Sequence, residues 1–518
     1  MKNKFKTLTD SDKNWMITIY NEKELLWDER MNIICDKFKV SERTVRRWLV
    51  DIGCKEKTEI ISEQYDIAKQ RKHDKEQKRF IITWAQNNTP VHKQFFENIK
   101  TYANFINADI HVIAGRYKNP TSVFTDRKED FWADVIAPYL DANRHKIHPK
   151  LNILADVKMQ PTAVEPLSGM TAMSGDDSCI FGHPKVHFEP TPALCDAIPK
   201  MMWTTGACTV KNYTDSKAGK KGEFHHTFGF IVVEIDNNEI FHVRQVTASS
   251  DGSFYDLTNF VFEQKVHKNN VIEATILGDI HLGSQDKEVM RVTKSLLNIL
   301  KPKYTILHDL FDGHSISHHH INNPIKMFQK EKENKNSLKQ EINNMIDWLY
   351  EWQKYNLVVV RSNHDDFVDR WIINADWKKN IKNSLEYMEY AKLLLNDEAP
   401  KGIIPYIIDK HFKNIITLNR DESFKVKGWE LGSHGDLGQN GTKGSLLQFK
   451  KLNIKTVTAH SHSPARKDGA LQVGTSTERR LDYNQGPSSW LNSHVLIYPN
   501  GKAQHINIIK GRYTTFFD

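Results

Sequence analysis

Asp279 and His281, Asp309, Asn363, His434, and the pair His460 and His462 are spaced through the second half of the chain as side chains able to hold divalent metal ions. Carboxylate and amide oxygens with imidazole nitrogens, and no thiolate among them, suit manganese first, with iron, zinc or magnesium as alternatives. A D-x-H tripeptide alone carries little information, because an Asp beside a His is usually a surface pair. The information lies in the order D-x-H, D-x-x-D, N-H-D, H, H-x-H. Two metals held side by side mean phosphate ester chemistry.

The elements that must position these groups are visible as apolar or strand-like runs. The β-branched run 271–277 predicts a buried strand that delivers Asp279 and His281 at its C-terminal end. Tyr304–Leu307 runs into Asp309, Leu357–Val360 into Asn363, and Lys455–Thr458 into His460 and His462. Open α/β sheets place their sites at such strand ends.

With these motifs in place, the chain resembles the calcineurin-like metallophosphoesterase superfamily, whose motifs run D-x-H, G-D-x-x-D, G-N-H-[DE], H and G-H-x-H. All five are present, with His308, Ser362 and Ala459 standing where that family has glycine. Those glycines serve tight turns, so the substitutions bear on loop geometry and leave the ligand set whole. Asp309-Leu310-Phe311 and Asn363-His364-Asp365-Asp366 are similar to the forms found in the DNA-nuclease branch of the superfamily. Segments 85–91, 115–122 and 204–209 also resemble the pre-early DNA-degradation nucleases of T5-like bacteriophages.

The resemblance implies a β-sandwich flanked by helices and two divalent ions. Asp279, His281 and His462 would bind the first, Asn363, His434 and His460 the second, and Asp309 would bridge both. A metal-bound hydroxide would then be the nucleophile. His364 would face the scissile phosphate and protonate the leaving oxygen, with Asp365 orienting its ring. Asp312 is expected to cap a turn or hydrogen-bond a ligand without touching metal. The run His318-His319-His320 reads as a polar loop, with substrate contact as the alternative.

Composition bounds the rest. With 518 residues, 39% of them hydrophobic, the chain has enough apolar material for two to four domains with real cores. No apolar run reaches the roughly 20 residues of a membrane span, and the N-terminus has no apolar leader, so a cytoplasmic protein without a membrane partner is expected. The five cysteines, Cys35, Cys54, Cys179, Cys195 and Cys208, form no C-x-x-C pair and predict free thiols. The net charge of +8 permits a nucleic-acid partner without demanding one.

Ahead of the metal motifs, residues 1–54 read as an all-α helix-turn-helix domain. Ser41 is an N-cap, Val45, Trp48 and Leu49 share one face of the third helix, and Arg43, Thr44, Arg46 and Arg47 are left for DNA. A three-helix packing or oligomerisation module with solvated arginines is the alternative. Residues 55–79 read as a charged helix or linker. A middle α/β domain spans 80–268, opening on a β-α-β unit and carrying a hairpin about Asp236-Asn237-Asn238. The Gly- and Lys-rich stretch 215–226 lacks P-loop spacing and reads either as a flexible loop or as phosphate contacts from Lys217, Lys220 and Lys221. The metallophosphoesterase domain occupies 269–518.

The expected class is therefore α/β, and the expected function is a metal-dependent, phage-encoded DNA nuclease, degrading host DNA and forming a homo-oligomer by analogy with related nucleases. The alternatives are a phosphodiesterase acting on small nucleotides, or a DNA-binding regulator with a vestigial metal site.

Overall fold

The computed structural model describes residues 8–22, 25, 27–54, 63–125, 129–194, 197–320, 322–481 and 484–516, without the side chains of 27, 28, 43, 46, 50 and 174. Two compact units emerge, Met1–Glu63 with Arg127–Asp130, and Gln64–Asp126 with Phe131–Asp518.

The small unit carries helices Asp10–Asn21, Trp27–Phe38 and Glu42–Asp51. Thr9 opens the first with a capping box to Asp12, which satisfies two otherwise orphaned backbone donors. Val45, Trp48 and Leu49 recur at helical spacing, so one face of the third helix is apolar. That face closes on Met16, Met31 and Ile34.

The large unit is a mixed α/β structure built on sheets. Four parallel strands, Ile416–Leu418, Leu357–Val360, Tyr304–Leu307 and Ala274–Ile276, form a six-stranded sheet with the antiparallel pair Ser493–Ile497 and Ala503–Asn507. All four parallel strands include β-branched residues that are buried, as a central parallel sheet requires. The first strand is shorter than the run 271–277 suggests, because Val271 is exposed and pairing starts at Ala274.

One face of this sheet meets helices Lys287–Leu300, Leu338–Trp352, Asp366–Asn374 and Ile403–His411 in the largest apolar core. Ile276, Ile306, Val358 and Val360 pack on the other side against Trp429, Val457, Leu471 and Val473 of a second sheet. The result is a two-sheet sandwich with helices outside.

That second sheet has ten strands. It runs from Lys425–Val426 through Lys455–Thr458, Ala470–Gln472 and Ala465–Lys467 into His187–Thr191, and on to Arg144–His148. The join is the antiparallel pairing of Arg466 with Phe188 and Lys467 with His187. The expected boundary at 268/269 is therefore crossed by a continuous sheet, a long-range pairing that leaves no local sequence mark.

A five-stranded sheet contains the expected β-α-β unit, with Arg79–Gln86 parallel to Asp109–Gly115 across helix Lys93–Ile106, and the expected hairpin of Gly229–Ile235 with Phe241–Thr247. Phe80, Ile82 and Trp84 face Ile153, Phe188 and Trp203 of the long sheet. Residues 217–225, expected as a loop, are instead a helix capped by Ser216. Its glycines allow close packing, since a Cβ on Gly219 would lie 1.9 Å from the carbonyl oxygen of Thr214. Among the described residues, no helix is long and apolar enough to cross a membrane, and Cys35, Cys54, Cys179 and Cys208 form no disulfide. Cys195 lies outside the described residues.

Gly278 links this architecture to the site. A Cβ there would lie 2.8 Å from backbone carbons of Gly474 and Thr475, the segment against which the Asp279 loop is laid. Gly278→Ala is expected to destabilise the protein by about 1–3 kcal/mol through overpacking, read as a lower midpoint in chemical denaturation. An unchanged midpoint would show that the two segments can separate freely.

Candidate metal centre

At the C-terminal ends of the parallel strands the polypeptide continues as loops stitched together by main-chain hydrogen bonds. Ile280 N–H donates to the His308 carbonyl at 3.1 Å and His281 N–H to the Asp309 carbonyl at 2.7 Å. From the opposite sheet, Ala459 N–H donates to the His434 carbonyl at 2.7 Å, and Ser476 N–H to the Asp279 carbonyl at 2.8 Å. The motifs thus meet although His281 and His462 are 181 residues apart.

Four of the converging residues hold left-handed backbone: His281 at φ 45°, Asp309 at 45°, His460 at 71° and His462 at 59°. Such conformations are costly for residues with a Cβ and concentrate at functional sites. His308, Ser362 and Ala459 are absent from the positive-φ residues, so the turns at those places do not require glycine.

Three groups of candidate ligands result, and Asp309 belongs to two of them. Asp279, His281, Asp309 and His462 form one buried group, Asp309, His434 and His460 the second, and His281, Asp312 and His364 a third that shares His281 with the first. The same oxygen, Oδ2 of Asp309, lies 3.4 Å from His281 Nε2 and 3.2 Å from His434 Nε2. His462 Nε2 is 3.1 Å from both His281 Nε2 and Asp279 Oδ2. Asn363 Oδ1 joins the second group, 3.0 Å from His434 Nε2. All seven residues singled out as ligands are thereby brought together.

The donor set fits divalent cations on two counts. Bonds of about 2.0–2.2 Å to imidazole and carboxylate give ligand-to-ligand edges of about 3–3.5 Å, the spacing seen here. Oδ1 of Asp279 and Oδ1 of Asp309 are buried without a hydrogen-bond partner, a state that a protein interior rarely tolerates unless a charge compensates it.

Electrostatics point the same way. Burial opposes the charged form of His281, yet Asp309, Asp312 and Asp279 outweigh it and carry its pKa up to about 9. His434 is likewise carried to about 9, against burial, by Asp309 and Asp279. Burial works against ionisation of Asp309, and His434, His364 and His281 together still hold its carboxyl well below the usual range.

The surrounding residues take up defined tasks. Asp312 Oδ1 lies 3.0 Å from His281 Nδ1, so this carboxylate holds the imidazole by one nitrogen and leaves Nε2 turned to Asp309 and His462. His364 Nδ1–H donates to the Asp312 carbonyl at 2.7 Å, and its ring stacks on Phe367 with centroids 4.6 Å apart. Asp365, expected to orient His364, does something else: its Oδ2 accepts from Ser362 N–H at 2.8 Å and from Ser362 Oγ at 3.0 Å. The carboxylate closes its own turn, and the main chain of Asp312 positions His364 instead. Burial pushes the Asp365 carboxyl up to about 7. His318 and His319 are exposed, with ring centroids 5.0 and 6.3 Å from that of Phe367.

Two supports went unread in the sequence. Arg420 bridges the loops of two motifs, 2.7 Å from Asp366 and 2.6 Å from Asp436. His494 Nδ1 accepts from Gly278 N–H at 3.0 Å while Nε2 meets Thr293 Oγ1 at 2.9 Å, which fixes the end of the Asp279 strand. Neither lies in a recognisable motif, and a signal existed only in the Asp-rich loops that need a cation.

Two further groups lie elsewhere. His111, Asp141 and His145 form a buried chain in which Asp141 accepts from His111 Nδ1 at 2.6 Å and from His145 Nε2 at 2.9 Å, clamping strand Asp109–Gly115 to Leu140–Asp141. Glu165, His187 and Glu189 form the other.

In the small unit, Thr44 is half-buried with Oγ1 3.1 Å from Ser41 Oγ, and Arg47 is exposed. The side chains of Arg43 and Arg46 lie outside the described residues. In the large unit, the segments 85–91, 115–122 and 204–209 converge: Asn87 N–H donates to the Gly115 carbonyl, Tyr117 N–H to Asn87 Oδ1, and Gln86 N–H to Thr209 Oγ1.

Fold and site define a mixed α/β protein with buried His and Asp groups that could hold metal ions. No family model matches the chain, and no solved structure does. The chain is 31% identical over 464 residues to Protein A1 of Escherichia phage T5, covering 85% of this chain and 83% of that protein. It belongs to the family of that phage protein.

Metal content separates the roles. Asp309→Ala should abolish binding of divalent metal by elemental analysis, whereas His364→Ala should leave it nearly intact; metal lost from His364→Ala would make His364 a ligand. The two raised imidazoles also fix a pH response in chelator. Their folded pKa near 9 exceeds the ordinary value of about 6.5, so their contribution to stability is complete below about 6.5 and lost as pH rises through about 9. The melting temperature of the chelated protein should fall across that window. Added divalent metal, which needs neutral imidazoles, should restore it at the alkaline end.

Proposed function

We propose that the protein is a phage-encoded, metal-dependent DNA nuclease of the calcineurin-like metallophosphoesterase type. The observation that carries this reading is the sharing of Asp309 Oδ2 between two groups of ligands, which provides adjacent positions for two divalent ions, manganese first among them. Asp279, His281 and His462 would hold one ion, Asn363, His434 and His460 the other. Bound there, the ions supply Lewis-acid stabilisation of the charge that develops on a phosphodiester in hydrolysis.

The chain's own residues do the rest. The Asp312 carboxylate keeps His281 in the tautomer that turns Nε2 to the metal. The Asp312 carbonyl holds the proton of His364 Nδ1, so Nε2 is the nitrogen left to meet the leaving oxygen. Phe367 stacks on that ring and limits its rotation. The three-helix unit, with Arg47 exposed on its third helix, supports duplex DNA as the partner. Kinship with a phage protein supports a phage-encoded chain; host DNA as the substrate, the infected bacterial cytoplasm as the place and a homo-oligomer as the working form are part of the same proposal, by analogy with related nucleases.

The reading is tested with purified protein, supercoiled, linear and single-stranded DNA and a phosphodiester dye, each with manganese, magnesium, zinc or chelator. DNA cleavage dependent on added metal, lost in Asp309→Asn and reduced at least 100-fold in His364→Ala, is expected. Cleavage of the dye but of no DNA would replace the nuclease with a small-nucleotide phosphodiesterase, and chelator-insensitive binding without cleavage would make the chain a regulator. Separately, Arg47→Glu should weaken duplex binding and flatten its salt dependence by about one phosphate contact; an unchanged slope would assign the three helices to packing.

A further inference from the structure

A second polar groove, of about 260 Å³, lies at the opposite end of the sandwich strands from the metal centre. Lys455–Thr458 and Ala470–Gln472 run parallel, and their C-terminal ends lead to His460 and to Thr475 beside Asp279. Their N-terminal ends, at Lys455 and Gly469, line the groove. A rise of about 3.3 Å per residue puts about 13 Å between Lys455 and Ala459, so the groove is separate from the metal centre.

Its lining gathers Lys455, Arg466, Lys502 and His225, and its one carboxylate is Asp468. Asp468 is already committed, lying 3.1 Å from Lys450, 3.3 Å from His225, 3.4 Å from Lys185 and 3.6 Å from His187. Arg466 is buried, donates from Nη1 to the Ala503 carbonyl at 3.3 Å, and has no partner for Nε. The hydroxyl of Thr247, 3% exposed and also lining the groove, has no partner either. Burial and the neighbouring Lys455 and Arg466 hold the Lys502 ammonium below the usual lysine range. Lys455, whose Nζ donates to the Gly501 carbonyl at 3.3 Å, Lys502 and Arg466, beside a buried hydroxyl with no partner, carry more positive charge than Asp468 alone offsets, and describe a place for an anion.

Beside them Phe224, from helix Lys217–His225, is 70% exposed at the rim of the same groove. A phenyl ring turned to solvent next to clustered cations is the pairing by which single strands are held, base stacked on ring and backbone on charge. A duplex buries its base faces and cannot use such a ring.

We propose that this groove binds single-stranded DNA, with a phosphate on Lys455, Lys502 and Thr247 and an unpaired base on Phe224. The identity of the ligand as DNA rests on the nuclease reading; the anion site itself does not. The groove would hold a strand apart from the metal centre, as a tether and not as the position of cleavage.

Fluorescence anisotropy of a labelled oligothymidylate on the full chain in chelator, compared with a duplex of equal length, tests this. Lys502→Glu and Phe224→Ala should each weaken single-strand binding about tenfold, and Lys502→Glu should reduce the salt slope by about 0.7. Neither should alter metal content. Equal affinity of both variants and the wild type for the single strand would overturn the groove while leaving the nuclease reading intact. An effect of Lys502→Glu without one of Phe224→Ala would reduce the groove to a phosphate site and overturn the single strand. Wild-type protein that binds no DNA of either kind, yet cleaves the phosphodiester dye with metal, would overturn both readings.

Discussion

One carboxylate oxygen, Oδ2 of Asp309, stands within 3.4 Å of two imidazoles delivered by different sheets. Burying that charge is costly, and its compensation comes from positive groups that must be placed accurately and kept there. The requirement propagates outward. His281 is fixed through its other nitrogen by Asp312, His434 faces Asn363, and His462 faces Asp279. Each partner sits on a loop that leaves a strand end, so the strands must be in register before the charges can balance. Left-handed backbone at Asp309, His281, His460 and His462 is strain that the sandwich beneath them holds.

The sandwich meets this requirement through connections that look unrelated to chemistry. Gly278 and Gly474 let two backbones approach where side chains would keep them apart. His494, kept neutral by burial with a pKa near 4, reads the Gly278 amide with one nitrogen and Thr293 with the other. Arg420 ties Asp366 to Asp436, so the loops bearing Asn363 and His434 share one guanidinium. These contacts decide the positions of atoms several residues away.

Much of this was legible in the sequence because the informative features are local. Tyr304–Leu307 and Leu357–Val360 are short apolar runs, and Lys455–Thr458 a strand-like one, each ending in polar chemistry, and such runs declare both strand and site. The seven candidate ligands could be read off because metal binding restricts residue type. What escaped depends on distance or on competition. Asp365 has a His beside it, yet the turn amide of Ser362 is nearer and better aligned, so local capping wins. The partner of His364 is a main-chain carbonyl 52 residues away, which no side-chain spacing announces. The helix Lys217–His225 contains Gly219 and Gly222, residues that argue against a helix until the packing against Thr214 and Tyr213 is seen. The pairing of Ala465–Lys467 with His187–Thr191 likewise has no local signature.

That last pairing, with the one between Ala274–Ile276 and Ser493–Ile497, bears on the order of events during synthesis. The strand that carries Asp279 needs a neighbour more than two hundred residues further on, and His462 emerges long after His281. At ordinary translation rates the interval is on the order of tens of seconds. Throughout it these side chains exist without their neighbours. A nascent or interrupted chain therefore lacks the assembled His and Asp groups, which come together in one late step, when the last strand closes the sheet.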